Sequence, residues 1–196
     1  SGDRLWIRQK TAGTTNITSF SIKEVTSADM DVTRATAATR VDEDGLVNYA
    51  EIIGDEEVSC GTFDCANPDA VWSRGTGWTI SGGTANCDGS QTSGTQLTQT
   101  GLTFTNTKTY KVTYTVTVSA GNIDARLQGS GATVTGTSKT SNGTYTDYLV
   151  STGNTSLRMR GNTDFVGTVT NISVKEVTRD NVPRIDYTGG GCPHIL

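Results

Sequence analysis

Histidine, proline and methionine are scarce in this chain: one His, three Pro and two Met in 196 residues. The lone His194, in GCPHIL, cannot build a catalytic triad unaided, and its position suits a solvated or interface residue. No stretch approaches the ~18 apolar residues of a membrane helix, and the first residues lack the basic-then-apolar pattern of a signal peptide. Membrane insertion is therefore not expected. Basic residues are not in excess either. With 16 Lys and Arg against 20 Asp and Glu the formal charge is −4, so the polycation that nucleic-acid binding needs is missing. G-x-S-x-G, H-E-x-x-H and phosphate-loop patterns are absent, and GTGWTI lacks the third Gly of a dinucleotide fingerprint. A glycosidase needs only two carboxylates, but nothing singles out a pair. No catalytic residue, cofactor or metal is expected.

The four cysteines, Cys60, Cys65, Cys87 and Cys192, are far below the density of a disulfide-stapled mini-protein. They read as mostly free thiols, although CGTFDC could close a small loop between Cys60 and Cys65. A zinc site is disfavoured because the spacing is not C-x2-C and no His is near.

Strand-forming types, by contrast, are abundant. The chain holds 36 Thr, 16 Val and 10 Ile, punctuated by 23 Gly, which is the composition of an all-β protein. It also repeats itself. Leu5 to Thr26 aligns without gaps on Leu157 to Thr178, with nine of 22 positions identical. Both copies place apolar residues three apart, Ile17 and Phe20 in the first and Val169 and Ile172 in the second, where a flat strand requires two or four. A shared β-bulge accounts for this. Residues 1–26 accordingly read as the last strands of a preceding β-sandwich repeat, the alternative being an arm that merely resembles the hairpin.

Residues 27–67 carry much of the acid load, including Asp42, Glu43, Asp44, Asp55, Glu56 and Glu57, and read as a connector with a solvated acidic face and a short helix or turn around Ala28 to Ala38. The EF-hand spacing that calcium would require is missing. Residues 68–178 are a succession of short strands separated by Gly, Asn and Ser. In KVTYTVTV, Val112, Tyr114, Val116 and Val118 alternate with Lys111, Thr113, Thr115 and Thr117, which sends one row to a core and one outward. GWTISGG, GTQLTQT, IDARLQG, TYTDYLV, SLRMRG and VGTVTNISVKEV supply further strands, with Asn142-Gly143 as a turn signal. Seven or eight antiparallel strands make one jelly roll. The expected fold is an antiparallel β-sandwich of jelly-roll, galactose-binding-like type, flanked by terminal strands of another sandwich and irregular connectors.

Alternation also selects candidate contacts. In SLRMRG, Leu157 and Met159 face one way and Arg158 and Arg160 the other; Arg126 and Gln128 flank Leu127 in the same manner, and Tyr145 lies on the opposite face of its strand from Tyr148. Arg126, Gln128, Tyr145, Arg158 and Arg160 are the glycan-binding candidates. Against this, outward Arg in a Thr-rich sheet often serves solubility alone, and Trp72 and Trp78 suit core or edge anchors. Four N-x-S/T sequons, at Asn16, Asn142, Asn154 and Asn171, occur in a chain so rich in Thr and Ser that chance explains them.

Two stretches carry a family resemblance. ATRVDEDGL (38–46) and NVPRIDYTGGGCP (181–193) resemble the junction peptide of tailed-bacteriophage fibre and minor virion structural proteins, in which A-T-R-V-(N/D)-x-x-G-L is soon followed by V-P-R-x-D-Y-x-G-G-G-C-P. The intervening segment, with GWTISGGTA, KTYKVTYTV and DFVGTVTNISVKEV, is similar to the carbohydrate-binding-module-like jelly rolls of such fibres. Here the two halves of the junction stand about 130 residues apart, which implies a sandwich inserted into it, with residues 179–196 leading on to a following domain. The resemblance implies a non-enzymatic virion protein, a spacer and weak host-glycan adhesin, self-associating as a homotrimer with other virion proteins as partners and assembled in the host cytoplasm. Two alternatives stand beside it: a bacterial secreted carbohydrate-binding module, and a capsid or neck decoration without glycan binding.

Overall fold

The computed structural model describes residues 37–41 and 46–182, together with the backbone at 185–186 and 194–195. The expected hairpin of residues 1–26, nearly all of the expected helix or turn at 28–38, the acidic side chains at 42–44 and Cys192 lie outside the described residues.

The described chain is an antiparallel β-sandwich. In order it forms β1 (Thr39–Val41), β2 (Val47–Tyr49), β3 (Ile52–Glu56), a one-turn helix α1 (Pro68–Val71), β4 (Ser73–Arg74), β5 (Trp78–Ser81), β6 (Thr84–Cys87) and β7 (Thr95–Thr100). There follow β8 (Thr109–Ala120), β9 (Ile123–Gln128), β10 (Val134–Thr135), β11 (Gly143–Val150), β12 (Ser156–Gly161), β13 (Val166–Thr178), β14 (Ile185–Asp186) and β15 (His194–Ile195). One sheet runs β10-β9-β12-β7-β4. The other runs β11-β8-β13-β6-β5, with β3 also paired to β13. From β8 to β13 the chain crosses repeatedly between the sheets, as a jelly roll does. No helix among the described residues is long and apolar enough to cross a membrane.

The expected alternation holds along β8, where Tyr110, Val112, Tyr114 and Val116 are at most 1% exposed while Thr113, Thr115 and Thr117 pair outward with Thr hydroxyls of β11 and β13. From the facing sheet, Leu97, Ile123, Ala125, Leu127, Leu157 and Met159 close the core. Trp72 and Trp78 are both buried in it. Trp72 donates its indole N–H to the Cys60 carbonyl at 3.0 Å.

The bulge of the second repeat copy is present. The β13–β8 register shifts between Thr170 and Ser173, and Asn171 takes a left-handed φ of 51°, so that Val169 and Ile172 both reach the core. The extra residue also divides the other edge of β13. β6 pairs with Gly167–Val169, β3 pairs with Lys175–Thr178, and the 58–65 loop fills the gap, its Gly61 carbonyl accepting the Ile172 N–H at 2.9 Å. A Cβ at Gly61 would run into the Ile172 carbonyl, which is why a side chain has no place there.

Three sequence expectations differ from the structure. Cys60 and Cys65 form a disulfide, and among the described residues only Cys87 is a free thiol. The chain turns back within this loop through left-handed φ at Cys60 (55°) and Phe63 (59°), and Gln99 anchors its start, its amide giving and receiving hydrogen bonds with Ser59 at 2.8 and 3.0 Å. Asn142-Gly143 makes no primed hairpin turn: β11 pairs with β8 and not with the strand before it, and the Asn142 side chain accepts the Val118 N–H at 2.7 Å. Residues 52–66, read as connector, belong physically to the sandwich through β3, the disulfide and the buried Val58 and Phe63.

The two junction-like stretches meet. β1 pairs antiparallel with β2 and parallel with β14, Val41 opposite Asp186, and β14 pairs with β15. Ala38, Ala50 and Val182 form a second, small buried cluster. The sandwich thus leaves and re-enters a small sheet through two neighbouring crossings. Glu51 stands on one crossing and Arg179 on the other; they bond at 3.1 Å, and the Arg179 guanidinium lies 4.4 Å from the ring centres of both Tyr49 and Tyr148.

Candidate functional site

Strand register, not proximity in sequence, assembles the candidate residues. Arg158 on β12 sits opposite Arg126 of β9 on one side and Thr98 of β7 on the other, and Ser73 of β4 follows Thr98. The next row outward along β12 places Arg160 between Asp124 and Gln96, and the row on the other side places Ser156 between Gln128 and Thr100. Since Leu127, Leu157, Met159 and Leu97 point to the core, these residues all project from the opposite face of the five-stranded sheet. Four of the five candidates, Arg126, Gln128, Arg158 and Arg160, therefore share one surface.

Tyr145 does not. It belongs to β11 in the other sheet and turns its ring inward, 6.3 Å from Tyr114 and 5.0 Å from the Lys139 ammonium, while its hydroxyl bonds with Ser141 Oγ at 2.8 Å. Its outward neighbour Tyr148 is the more exposed ring, as strand alternation requires.

The arginines differ in their commitments. Arg126 grips Asp124 through Nε and Nη2, the latter at 3.0 Å from Oδ2, and that carboxylate holds the guanidinium further above its ordinary value. Arg158 donates from Nη1 to Gln96 Oε1 at 2.9 Å, while its buried Nε has no hydrogen-bond partner among the described residues. Arg160 packs its guanidinium against Gly94, and Gly94 in turn lines a depression of about 350 Å³ together with Ser73, Gln96 and Thr98 among others. Gln128 gives its amide N–H to Thr133 at 2.9 Å. Its Oε1, like Ser156 Oγ, is buried and has no hydrogen-bond partner among the described residues.

Asp124, Gln96, Thr98 and Ser156 complete this face and were not singled out from the sequence. For Asp124 and Ser156 the signal was available, since each stands two residues from a candidate arginine on its own strand. Gln96 and Thr98 required the β12–β7 register.

The remaining polar clusters have structural roles. Asp147 accepts from Lys139 Nζ and Tyr114 Oη, both at 2.9 Å, beneath the sheet edge. Gln91 donates to the carbonyls of Phe165 and Thr163 at 2.7 and 3.1 Å and ties two loops together. Burial pushes the Cys87 thiol up, the adjacent Asp88 adding to it against a backbone hydrogen bond from Gly89, so little reactive thiolate forms. Among the described residues no three His, Cys, Asp or Glu side chains stand together as a metal site. Asn154, within a sequon, is 1% exposed and fully engaged by the Ser130 and Ala132 carbonyls and by Ser151.

No protein-family model matches the chain, nor does any curated protein sequence. Among solved structures, a domain described as CBM4 is 14% identical, with a TM-score of 0.43, over 55% of this chain and 96% of its own. The N-terminal cellulose-binding domain of β-1,4-glucanase C from Cellulomonas fimi is 16% identical, with a TM-score of 0.43, over 64% of this chain and 98% of its own.

Proposed function

We propose that this chain is a non-enzymatic segment of a phage tail or head fibre that acts as a spacer and, through the outer face of the five-stranded sheet, as a weak adhesin for host-surface glycans. The observation that carries this reading is the meeting of β1 with β14. The stretches that resemble a virion junction peptide lie far apart in sequence and side by side in space, as a sandwich inserted into one continuous junction would leave them. The glycan-contact half rests on the polar face that register builds from Arg126, Arg158, Arg160, Gln96 and Thr98 beside a depression of about 350 Å³, the kind of surface a polyhydroxylated ligand fits.

Self-association, as a homotrimer with other virion proteins around it, belongs to the same proposal. Val47, Tyr49, Ile52 and Val150 are 69, 51, 58 and 53% exposed, an apolar set that a second chain would cover. Three weak sites on one rod then gain apparent affinity through effective concentration. The test is imaging of purified particles carrying a label on this chain: density on a fibre supports the reading, and particles without the chain overturn it.

A second reading, a secreted bacterial carbohydrate-binding module, is favoured by the Cys60–Cys65 disulfide, which suits an oxidising compartment better than cytoplasmic assembly. Recovery of the chain from culture medium of cells free of phage particles would select it.

A further inference from the structure

Resting on the reading of the five-stranded face as a saccharide surface, we infer that its ligand is an acidic saccharide recognised through a carboxylate at Arg158 and Arg160. Arg126 shows on the same face how such a group is held, since its Nε/Nη2 edge takes both oxygens of Asp124. Arg158 keeps one such donor open: its Nη1 is tethered by Gln96 at 2.9 Å, which orients the guanidinium plane, and its Nε is buried, while Nη2 has no hydrogen-bond partner among the described residues.

Arg160 lies two residues along, about 7 Å away on the same strand face, and makes no ion pair among the described residues. Two guanidinium groups with free N–H donors side by side on one sheet face match a carboxylate, which accepts from both, with Arg160 offering its whole planar fork.

Charge and aromatic content point the same way. Asp124 is the only carboxylate among the outward positions of β7, β9 and β12, against three arginines, in a chain whose formal charge is −4. No aromatic residue occupies an outward position on those strands. A neutral pyranose would have no ring to stack on, whereas desolvated guanidinium groups make their strongest hydrogen bonds to anions.

The experiment is titration of the full chain with oligogalacturonate, a neutral β-glucan oligosaccharide and dextran sulfate, each against the parent protein, Arg158→Gln/Arg160→Gln and Arg158→Lys/Arg160→Lys, with thermal melting of every variant. Oligogalacturonate is expected to bind best. The Gln variant should lose at least ten-fold, and the Lys variant, which keeps the charge but not the fork, at least five-fold, with melting nearly unchanged. Equal binding of dextran sulfate, or full retention by the Lys variant, would mean that charge alone acts and would overturn carboxylate recognition. Preference for the neutral glucan, unmoved by either variant, would overturn this inference while leaving the face as a saccharide surface. No binding of any saccharide would remove the underlying reading as well, and a change of sedimentation in the Gln variant would reassign the arginines to a protein contact.

Discussion

Asp147 has 6% of its side chain exposed and its partner Lys139 10%, so the pair is held where water cannot replace a lost partner. The Arg74–Asp69 pair, at 37% and 52% exposed, is the opposite case and contributes at most about 1 kcal/mol. Replacing Asp147 with Ala strands both the Lys139 ammonium and the Tyr114 hydroxyl, and should destabilise by about 3–5 kcal/mol in urea unfolding. The double change Asp147→Leu/Lys139→Met removes both charges and should recover much of that loss. If the double change is worse than the single, the pair stabilises beyond its own desolvation.

The same cluster sets an alkaline limit. Burial first, then the hydrogen bond and charge of Asp147, push the Tyr114 phenol up. The unfolded chain releases this proton above about pH 10 while the folded one retains it. The folded state therefore binds more protons in that window, and stability falls as pH rises through it. Urea midpoints measured from pH 8 to 11 should decline, and more gently in Tyr114→Phe. Parallel slopes would exclude Tyr114 as the source.

At the scale of elements, the bulge in β13 decides which residues reach the core. Ile172 is 4% exposed only because Asn171 absorbs the extra residue at φ 51°. Ile172→Asp should therefore cost several kcal/mol by burying an unpaired charge, measured as a fall in denaturation midpoint, whereas a flat strand would put the new carboxylate in water at little penalty.

This parity was legible in the sequence because the two repeat copies place the anomaly at the same point, and the strands of the sandwich were legible because Thr alternates with Val and Tyr along them. The loop 58–65 was not. It has no periodicity, and what places it is a disulfide, a Gln99 side chain 40 residues away and one hydrogen bond into the bulge, none of which leaves a local trace. The candidate face was legible strand by strand, as with Arg126 and Arg158. Its grouping was not, because only register puts Gln96 beside Arg160 and leaves Tyr145 on the far sheet.

For the molecule as a whole, the question is how a sandwich with a large core stays oriented on a sheet whose own buried cluster is Ala38, Ala50 and Val182. So small a cluster contributes little, and the Arg179 clasp supplies the difference. Its guanidinium bonds Glu51, which Lys111 also approaches at 3.8 Å and Tyr148 Oη at 3.3 Å, and it lies between two tyrosine rings. Each ring contact is worth about 0.5–1 kcal/mol at a partly exposed site, so Arg179→Ala should weaken the attachment by about 1–2 kcal/mol. That loss falls on the small sheet and not on the sandwich core, which Arg179 does not enter. The global melting transition should accordingly move little, while hydrogen exchange at the Ala50 amide, bonded to the Ala38 carbonyl at 2.7 Å, should quicken by roughly ten-fold, the factor that about 1.4 kcal/mol of local opening free energy represents. Arg179→Lys keeps the charge but loses the delocalised guanidinium that lies 4.4 Å from the ring centres of Tyr49 and Tyr148, and should fall between the two. If exchange at Ala50 is unchanged in Arg179→Ala, the clasp holds nothing, and the small sheet must draw its order from contacts other than Tyr49, Tyr148 and Glu51.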